Sequence, residues 1–536
     1  MKRYQNFDLY KLLVGMVKIP SVSPSREGEN EIAEFIASKL HEQAYFLEHP
    51  NDLRLVPLEN DALERHFVFA VVRAVPPTKK TVILLGHMDV VGVETFGVLD
   101  QWAFDPEEYT KKIAAADLPS DAASDLESGD WLFGRGVADM KSGLSVGLDL
   151  LFEASQHPER LRANIILLGV PDEENNSRGM LAAASYLAEI TKQDGLEYLA
   201  CIDLESTFAA GCDAKPSIYL GSLGKINVFF YCHGRETHIG EYYEGFSAAP
   251  VISRINTILE GNPKYADSLR GVSYPPYACI RQIDLRKDYS ATIMTKAFAF
   301  YGCLTATKLP TQILAELGDV AHAALRAAAE RCTDGGVRRW KPAVMTFEAL
   351  LTLVKRKLGD AYPMFLERTL SAAGGDQDER VRAACLVDAM VEEAALASPT
   401  VVIGFLPPWY PPRVNLGETE DEKRMERIAS EMVEETRALY GEAMEIRPLF
   451  EGVSDLSYCG FQGDIVELDL FARNMPCWGR PYSLPIEAFS ELDIPILNMG
   501  PIGKDAHKNT ERIHLPYAME IYPRLLRTLV RKVAEK

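Results

Sequence analysis

Four short segments of this chain, 66–75, 81–85, 163–170 and 198–204, are largely apolar, and the last three run into histidine or acidic residues. Apolar runs of that length without polar alternation suit strands covered on both faces, the pattern of a parallel sheet. The segments before and among them have helical periodicity. Leu9, Leu12, Leu13 and Val17 share one face over 8–19 before Pro20 breaks the helix, and Ile32, Phe35, Ile36 and Leu40 share another over 29–42. Further helices are predicted over 138–154 and from about 179. Strands alternating with helices imply an α/β fold with a mostly parallel sheet between helices. Ligands in such sheets sit beyond the carboxyl ends of the strands. His87 and Asp89 follow one strand end, Glu173 and Glu174 a second, Asp203 and Glu205 a third. Asp139 starts a helix, and His507 follows the strand-like 495–499.

Imidazole and carboxylate groups without thiolates suit zinc, and also cobalt or manganese. Two divalent ions held roughly 3.5–4 Å apart need a bridging carboxylate. Taken singly, each acid reads as a solvated surface charge and each histidine as structural, and adjacent acids such as Asp172-Glu173-Glu174 commonly cap a helix N-terminus. The ordered set carries the chemistry. Ser–His–Asp, P-loop and H-E-x-x-H readings find no matching string.

The 536 residues would allow about three domains in series. The texture changes after Gly221, however. A strand over 225–233, a helix over 247–259, an extended run over 275–286, helices over 310–330 and 345–397, and a strand-like 401–405 that runs into Pro407-Pro408 read as an insert. The expected layout is a catalytic domain split into 1–221 and 419–536, interrupted by an enlarged α+β lid or dimerisation-type domain over 222–418. Residues 100–130, polar with Pro, Asp and Ser, are expected to form a long loop. The 77 acidic against 57 basic residues leave a net charge of −20, which argues against nucleic-acid binding and a polybasic membrane anchor. Nine cysteines lie between Cys201 and Cys477 with no C-x-x-C pair, so neither a disulfide framework nor a cysteine zinc site is expected. No run reaches the ~18 apolar residues of a membrane span, and the first 20 residues lack a leader's apolar region. The expectation is a soluble, cytoplasmic protein.

The local wording is specific. The strings GHMDVVG at 86–92, GRGVADMKSG at 134–143, PDEENNSRG at 171–179, LEST at 204–207 and AHKNTERI at 506–513 resemble the zinc aminoacylase and carboxypeptidase family, which includes acetylornithine deacetylase and succinyl-diaminopimelate desuccinylase. The segment 12–29 resembles that family's first helix and turn. Length and layout resemble its arginine-utilisation branch, while 320–400 matches poorly. The resemblance implies a di-metal site. His87 and Glu205 would bind one ion, Glu174 and His507 the other, and Asp139 both, with a cis peptide after Asp139. Asp203, two residues before Glu205, is the alternative ligand. Asp89 would orient the His87 imidazole, and Glu173 would be the general base. The string CHGRETHIGEYYEGFSAAP at 232–250 resembles the family's lid signature. Its His238 would stabilise the oxyanion, in cis or from a partner across a lid–lid homodimer. His233, within the expected strand, reads as structural.

Substrate contacts are less specified. Arg281, Arg286 and Arg413 could grip a substrate carboxylate. Ser454 and Asp455, in EGVSDLSY at 451–458, resemble a loop near the metals or form a turn. The helical stretch 345–397 would either cover the dimerisation edge or widen the dimer interface. The resulting expectation is an amidohydrolase acting on a small N-acyl amino acid or short peptide, in arginine or ornithine breakdown. The alternatives are a non-catalytic binding protein on the same fold and a hydrolase of carbamoyl amides.

Overall fold

The computed structural model describes residues 7–208, 215–286, 289–334, 340–374, 378–441, 444–480 and 482–535. Residues 1–6 of the N-terminal segment and 375–377 of the stretch 345–397 lie outside the described residues. The chain divides into two units. The first comprises Met1–Ser222, Arg413–Phe461 and Glu487–Lys536, the second Leu223–Pro412 and Gln462–Ile486.

The first unit is built on an eight-stranded sheet, in the order Leu53–Pro57, His66–Val72, Asn164–Val170, Lys80–His87, Glu197–Asp203, Ile496–Asn498, Ser217–Tyr219 and Glu445–Arg447. Its four central strands, Asn164–Val170 to Ile496–Asn498, run parallel; His66–Val72 joins them antiparallel, and Leu53–Pro57 pairs antiparallel with His66–Val72. Every residue of Asn164–Val170 is buried, as the unbroken apolar run requires. One face packs Leu84 and Leu167 against Leu13, Ile36, Leu148 and Leu526 of the helices Phe7–Val17, Arg26–His41, Lys141–Gln156 and Tyr522–Ala534. Alternation sends Phe67 and Phe69 to the other face, where they meet Tyr186 of the helix Arg178–Asp194 edge-on at 5.7 and 5.2 Å. Burying each such apolar side chain contributes about 1.5–3 kcal/mol.

The expected loop over 100–130 is instead helical. A 3-10 segment, Glu94–Trp102, runs into it, and it contains the helices Pro106–Lys112 and Ser120–Ser128. Asp105 caps the first helix by accepting the Glu108 N–H at 3.3 Å, with Pro106 at its first position. Phe96, Tyr109, Ile113, Ala122 and Phe133 form a satellite core beneath it. The apolar residues are too thinly spread among acids for periodicity to reveal these short helices.

In the second unit, Ala278–Asp284, Lys296–Thr305, Gly221–His233, Thr400–Tyr410 and Ala343–Thr346 form a sheet in that order. The helical extension covers a face of this sheet. Phe229, Tyr231, Phe298 and Phe300 pack against Leu350, Phe365 and Val387 of the helices Phe347–Leu358, Tyr362–Ala372 and Glu379–Ala394. The edge strand Ala278–Asp284 is left largely exposed. The strand Thr400–Tyr410 does not stop at the prolines. Its register shifts between Leu406 and Trp409, so Pro407 and Pro408 occupy a bulge where no ladder donor is required. The segment Gln462–Ile486, which the sequence places with the catalytic domain, packs within this second unit. Phe471 lies 5.2 Å from the Phe405 ring and 4.5 Å from that of Trp409, and the Asn474 carbonyl accepts the Phe405 N–H at 3.0 Å. Among the described residues, no helix is long and apolar enough to cross a membrane.

Candidate active site

The first unit brings five of the predicted residues together at the carboxyl ends of its parallel strands. His87 ends the strand Lys80–His87, and its Nε2 stands 3.0 Å from Asp139 Oδ1 and 3.0 Å from Glu205 Oε1. His507 Nε2 lies 3.2 Å from Asp139 Oδ2 and 3.1 Å from the Glu174 carboxylate. The result is two groups, His87–Asp139–Glu205 and Asp139–Glu174–His507, each with its donor atoms within 4.8 Å of one another and with Asp139 common to both. The Asp139–Met140 peptide bond is cis.

The backbone explains how these groups meet. A Cβ at Gly143 would lie 1.9 Å from the Leu204 carbonyl oxygen, and one at Gly500 would lie 2.2 Å from that of Glu205. Only glycine permits this approach to the strand exit carrying Glu205. The Ser206 hydroxyl donates to the Ala138 carbonyl at 2.6 Å. Glu511 accepts the Ala138 and Asp139 N–H groups at 3.1 and 3.3 Å, and its second oxygen pairs with buried Arg135. The loop bearing His507 is tied by Arg512, fully buried, to Asp505 at 2.5 Å, Asp125 at 2.7 Å and Asp121 at 2.9 Å. Sequence reasoning missed Glu511, Arg135, Arg512, Gly143 and Gly500. Four of them lie inside the matched strings, where oppositely charged neighbours of the ligands were the available signal.

The electrostatics fit cations. His87 Nδ1 donates to the Asp89 carbonyl oxygen at 2.9 Å, and a carbonyl only accepts. Nε2 therefore presents a lone pair to two carboxylates unless it is protonated. Burial pulls the His87 pKa down, but Asp139, Asp89 and Glu205 outweigh it and hold it well above the usual imidazole value. Hydrogen bonds to Asp139 and Glu174 push His507 up to about 10. Burial raises Glu173 and Glu205 far above ordinary carboxylates, with neighbouring acids adding to the effect. Divalent ions at these positions would replace the protons and neutralise the crowded carboxylates, and a donor set of imidazoles and carboxylates suits them.

Asp89 departs from its expected part. Its carboxylate stands 3.6 Å from His87 Nδ1, and its backbone carbonyl is what orients the imidazole. The carboxylate instead accepts the N–H groups of Glu173 and Glu174, each at 3.1 Å. Asp203 belongs to neither ligand group, and burial pushes its pKa up to about 7. Ser454 caps the 3-10 segment Asp455–Tyr458 by accepting the Leu456 N–H at 3.2 Å, in keeping with a turn. Asp455 is buried, and burial holds its carboxyl well above the usual range. Arg413 is engaged by Asp493 at 2.5 Å and the Ile494 carbonyl at 3.0 Å, which commits its guanidinium to structure. In the second unit, His238 is exposed and its Nδ1 accepts the Gly240 N–H at 3.1 Å. Arg281 is exposed on the edge strand. Arg286 is bound to Asp284 at 3.0 Å and to the Thr292 carbonyl at 3.0 Å.

The sequence model of Peptidase family M20/M25/M40 matches residues 83–497, a span that carries four of the five candidate ligand residues. The chain belongs to this family. It is 34% identical to the uncharacterized protein YqjN of Bacillus subtilis, over 97% of this chain and 95% of that protein. It is 29% identical to Protein RocB of the same organism, over 96% and 93%. Among solved structures, the M20 family metallo-carboxypeptidase Sso-CP2 of Sulfolobus solfataricus shares the fold. The TM-score is 0.55 at 13% identity, covering 99% of this chain and 100% of that one. As an M20 peptidase the chain is a metal-dependent hydrolase of amide bonds.

Proposed function

We propose that this M20 enzyme uses two divalent ions, zinc ahead of cobalt or manganese, to hydrolyse the amide bond of a small N-acyl amino acid or dipeptide. The observation that carries the reading is Asp139, which turns one carboxylate oxygen to each ligand group. His87, Asp139 and Glu205 would hold one ion, and Asp139, Glu174 and His507 the other. Glu205 is preferred to Asp203 because its Oε1 faces His87 Nε2. When bound, the ions lower the pKa of the attacking water towards ~7 and polarise the scissile carbonyl. Glu173 takes the proton of that water and delivers it to the leaving nitrogen. Its carboxyl lies in the turn next to the ligand Glu174, with its N–H held by Asp89 at 3.1 Å, which supports that part.

His238 would donate to the carbonyl oxygen as charge develops there. Its tautomer supports this part. The Gly240 N–H occupies Nδ1, so the neutral ring carries its proton on Nε2, ready to donate. Arg281 is the better candidate for a substrate carboxylate, since Arg286 is committed to Asp284. Asp455 remains a candidate lining group, and Ser454 a structural one. The favoured substrates are acyl or peptidyl derivatives of arginine or ornithine, on the resemblance to the arginine-utilisation branch. The same reading includes a cytoplasmic location, which the unbridged cysteines among the described residues support. It also includes a homodimer through the lid domain, which the exposed strand Ala278–Asp284 supports.

The test is hydrolysis of N-acetyl, N-succinyl and N-carbamoyl arginine and ornithine, beside dipeptides, by the metal-loaded protein and by Glu173→Gln. Turnover of an acyl or peptide amide, lost in Glu173→Gln with both ions retained, is expected. Turnover of the carbamoyl compounds alone would favour the carbamoyl reading. Full activity of Glu173→Gln would remove Glu173 as the base.

A further inference from the structure

A buried charge cluster outside both ligand groups adjoins the turn that carries Glu173 and Glu174. Arg65 is 2% exposed. Its NH1 lies 2.6 Å from Asp172 Oδ1 and 3.2 Å from Glu29 Oε2, and its Nε lies 2.8 Å from Asp61 Oδ2. Enclosing four ionisable groups is costly, with burial pushing the Glu29 carboxyl up to about 8, and apolar side chains of similar volume commonly stabilise as well or better. Stability alone therefore does not account for the cluster.

Asp172 connects it to the chemistry. Its φ of +72° is rare for a residue with a side chain. Its carbonyl accepts the N–H groups of Asn175, Asn176 and Ser177 at 3.2, 3.1 and 2.6 Å, and its Oδ2 accepts that of Arg178 at 3.2 Å. Asp172 thus closes the turn whose next two residues are Glu173 and Glu174. The turn is held at two points, by Asp89 through the amides of Glu173 and Glu174, and by Arg65 through Asp172.

We propose that Arg65 is a positioning residue for the reaction, setting through Asp172 the pose of Glu173 relative to Glu174. The inference rests on the reading of Glu173 as the general base. A misplacement of about 1 Å in such a group can cost about 100-fold in rate. Asp61 supplies the control, because it binds the same guanidinium at 2.8 and 3.0 Å yet lies outside the turn. A role confined to stability would lower Tm on loss of either carboxylate and leave the kcat of the folded, metal-loaded protein unchanged.

The experiment compares Asp172→Asn, Asp61→Asn, Arg65→Lys and Glu173→Gln in the metal-loaded full chain, using the amide of the panel above that is turned over fastest. The readouts are kcat, KM, metal content and Tm. Asp172→Asn and Arg65→Lys are expected to lower kcat about 30- to 100-fold, with KM within threefold and two metal equivalents retained. Asp61→Asn should lower Tm and keep kcat within threefold. The proposal is overturned if a folded Arg65→Lys or Asp172→Asn keeps kcat within threefold of the parent, if Asp61→Asn loses as much, or if kcat falls only in step with lost metal. Should Arg65→Lys fail to fold, Asp172→Asn decides. Glu173→Gln separates the two readings. Its full activity would remove the base assignment itself, whereas its inactivity beside an unimpaired Asp172→Asn would remove only the role of Arg65.

Discussion

Replacing Asp89 by asparagine separates two parts that one carboxylate could play. In the structure both of its oxygens take backbone N–H groups, those of Glu173 and Glu174 at 3.1 Å each. Such bonds to a charged, buried acceptor contribute about 1.5–3 kcal/mol each. Asparagine offers one oxygen and turns its NH2 group towards the other N–H. One bond is then lost, and the other falls to a neutral value of about 1 kcal/mol. The net loss is about 2–5 kcal/mol, concentrated on the turn that carries the base. At about 1.4 kcal/mol per tenfold change in rate, even the lower bound lowers kcat about 30-fold if the cost falls on the transition state. The His87 imidazole is oriented by the Asp89 carbonyl, which the substitution keeps, so metal content should stay at two equivalents. Steady-state kinetics and elemental analysis on the same preparation decide the matter. Unchanged kcat together with loss of one metal equivalent would refute the reasoning, because it would mean that the carboxylate acts through His87.

Three further outcomes are expected. Asp139→Ala should abolish tight binding of both ions, since one carboxylate faces both ligand groups; retention of two equivalents by elemental analysis would contradict the bridging role. His238→Ala should lower kcat about 100-fold or more with metal content intact, as for loss of one oxyanion donor; an unchanged kcat would remove His238 from the mechanism. In the metal-free protein, hydrogen bonds to Asp139 and Glu174 raise the His507 pKa from 6.5 to about 10. Its contribution to stability is therefore whole below about pH 6.5 and lost as pH climbs through about 10. An ion must displace that proton, so metal affinity should rise with pH across this window. Calorimetry at pH 7.5 in buffers of different ionisation enthalpy should show proton release, and a buffer-independent heat would rule it out.

The catalytic unit was legible because its strands are buried on both faces and so read as unbroken apolar runs, as in Asn164–Val170. The candidate ligands His87, Glu174 and Glu205 were legible as residues at or just past strand ends, and Asp139 and His507 through the local wording of the matched strings. What escaped the sequence was whatever depends on pairing across long distances. Nothing near Arg65 in the chain marks Asp172 as its partner, and nothing near Asp139 marks Glu511. The bonds of the Asp89 carboxylate to the turn escaped for a related reason. The sequence shows a carboxylate two residues from a histidine, while the folded turn supplies the amides that claim it. The helices over 100–130 escaped because Phe96, Tyr109, Ile113 and Ala122 form a core only once Phe133 folds against them. In Thr400–Tyr410 the prolines signalled an end, and a bulge absorbs them instead.

The clamp of Arg512 on Asp121, Asp125 and Asp505 bears on how the site comes into being during synthesis. His87 and His507 are about 420 residues apart in the chain. At a translation rate of about 5–20 residues per second, the second histidine leaves the ribosome roughly 20–80 s after the first. Throughout that interval Asp121 and Asp125 have no Arg512 to pair with, and Glu174 waits for its imidazole. A nascent chain can assemble at most the His87–Asp139–Glu205 half of the centre, so an ion captured early would meet three donors that are not yet buttressed by Glu511. On the proposed two-ion reading, full loading therefore waits for the segment that carries His507, Glu511 and Arg512, and the supply of metal matters late rather than early in the life of the chain.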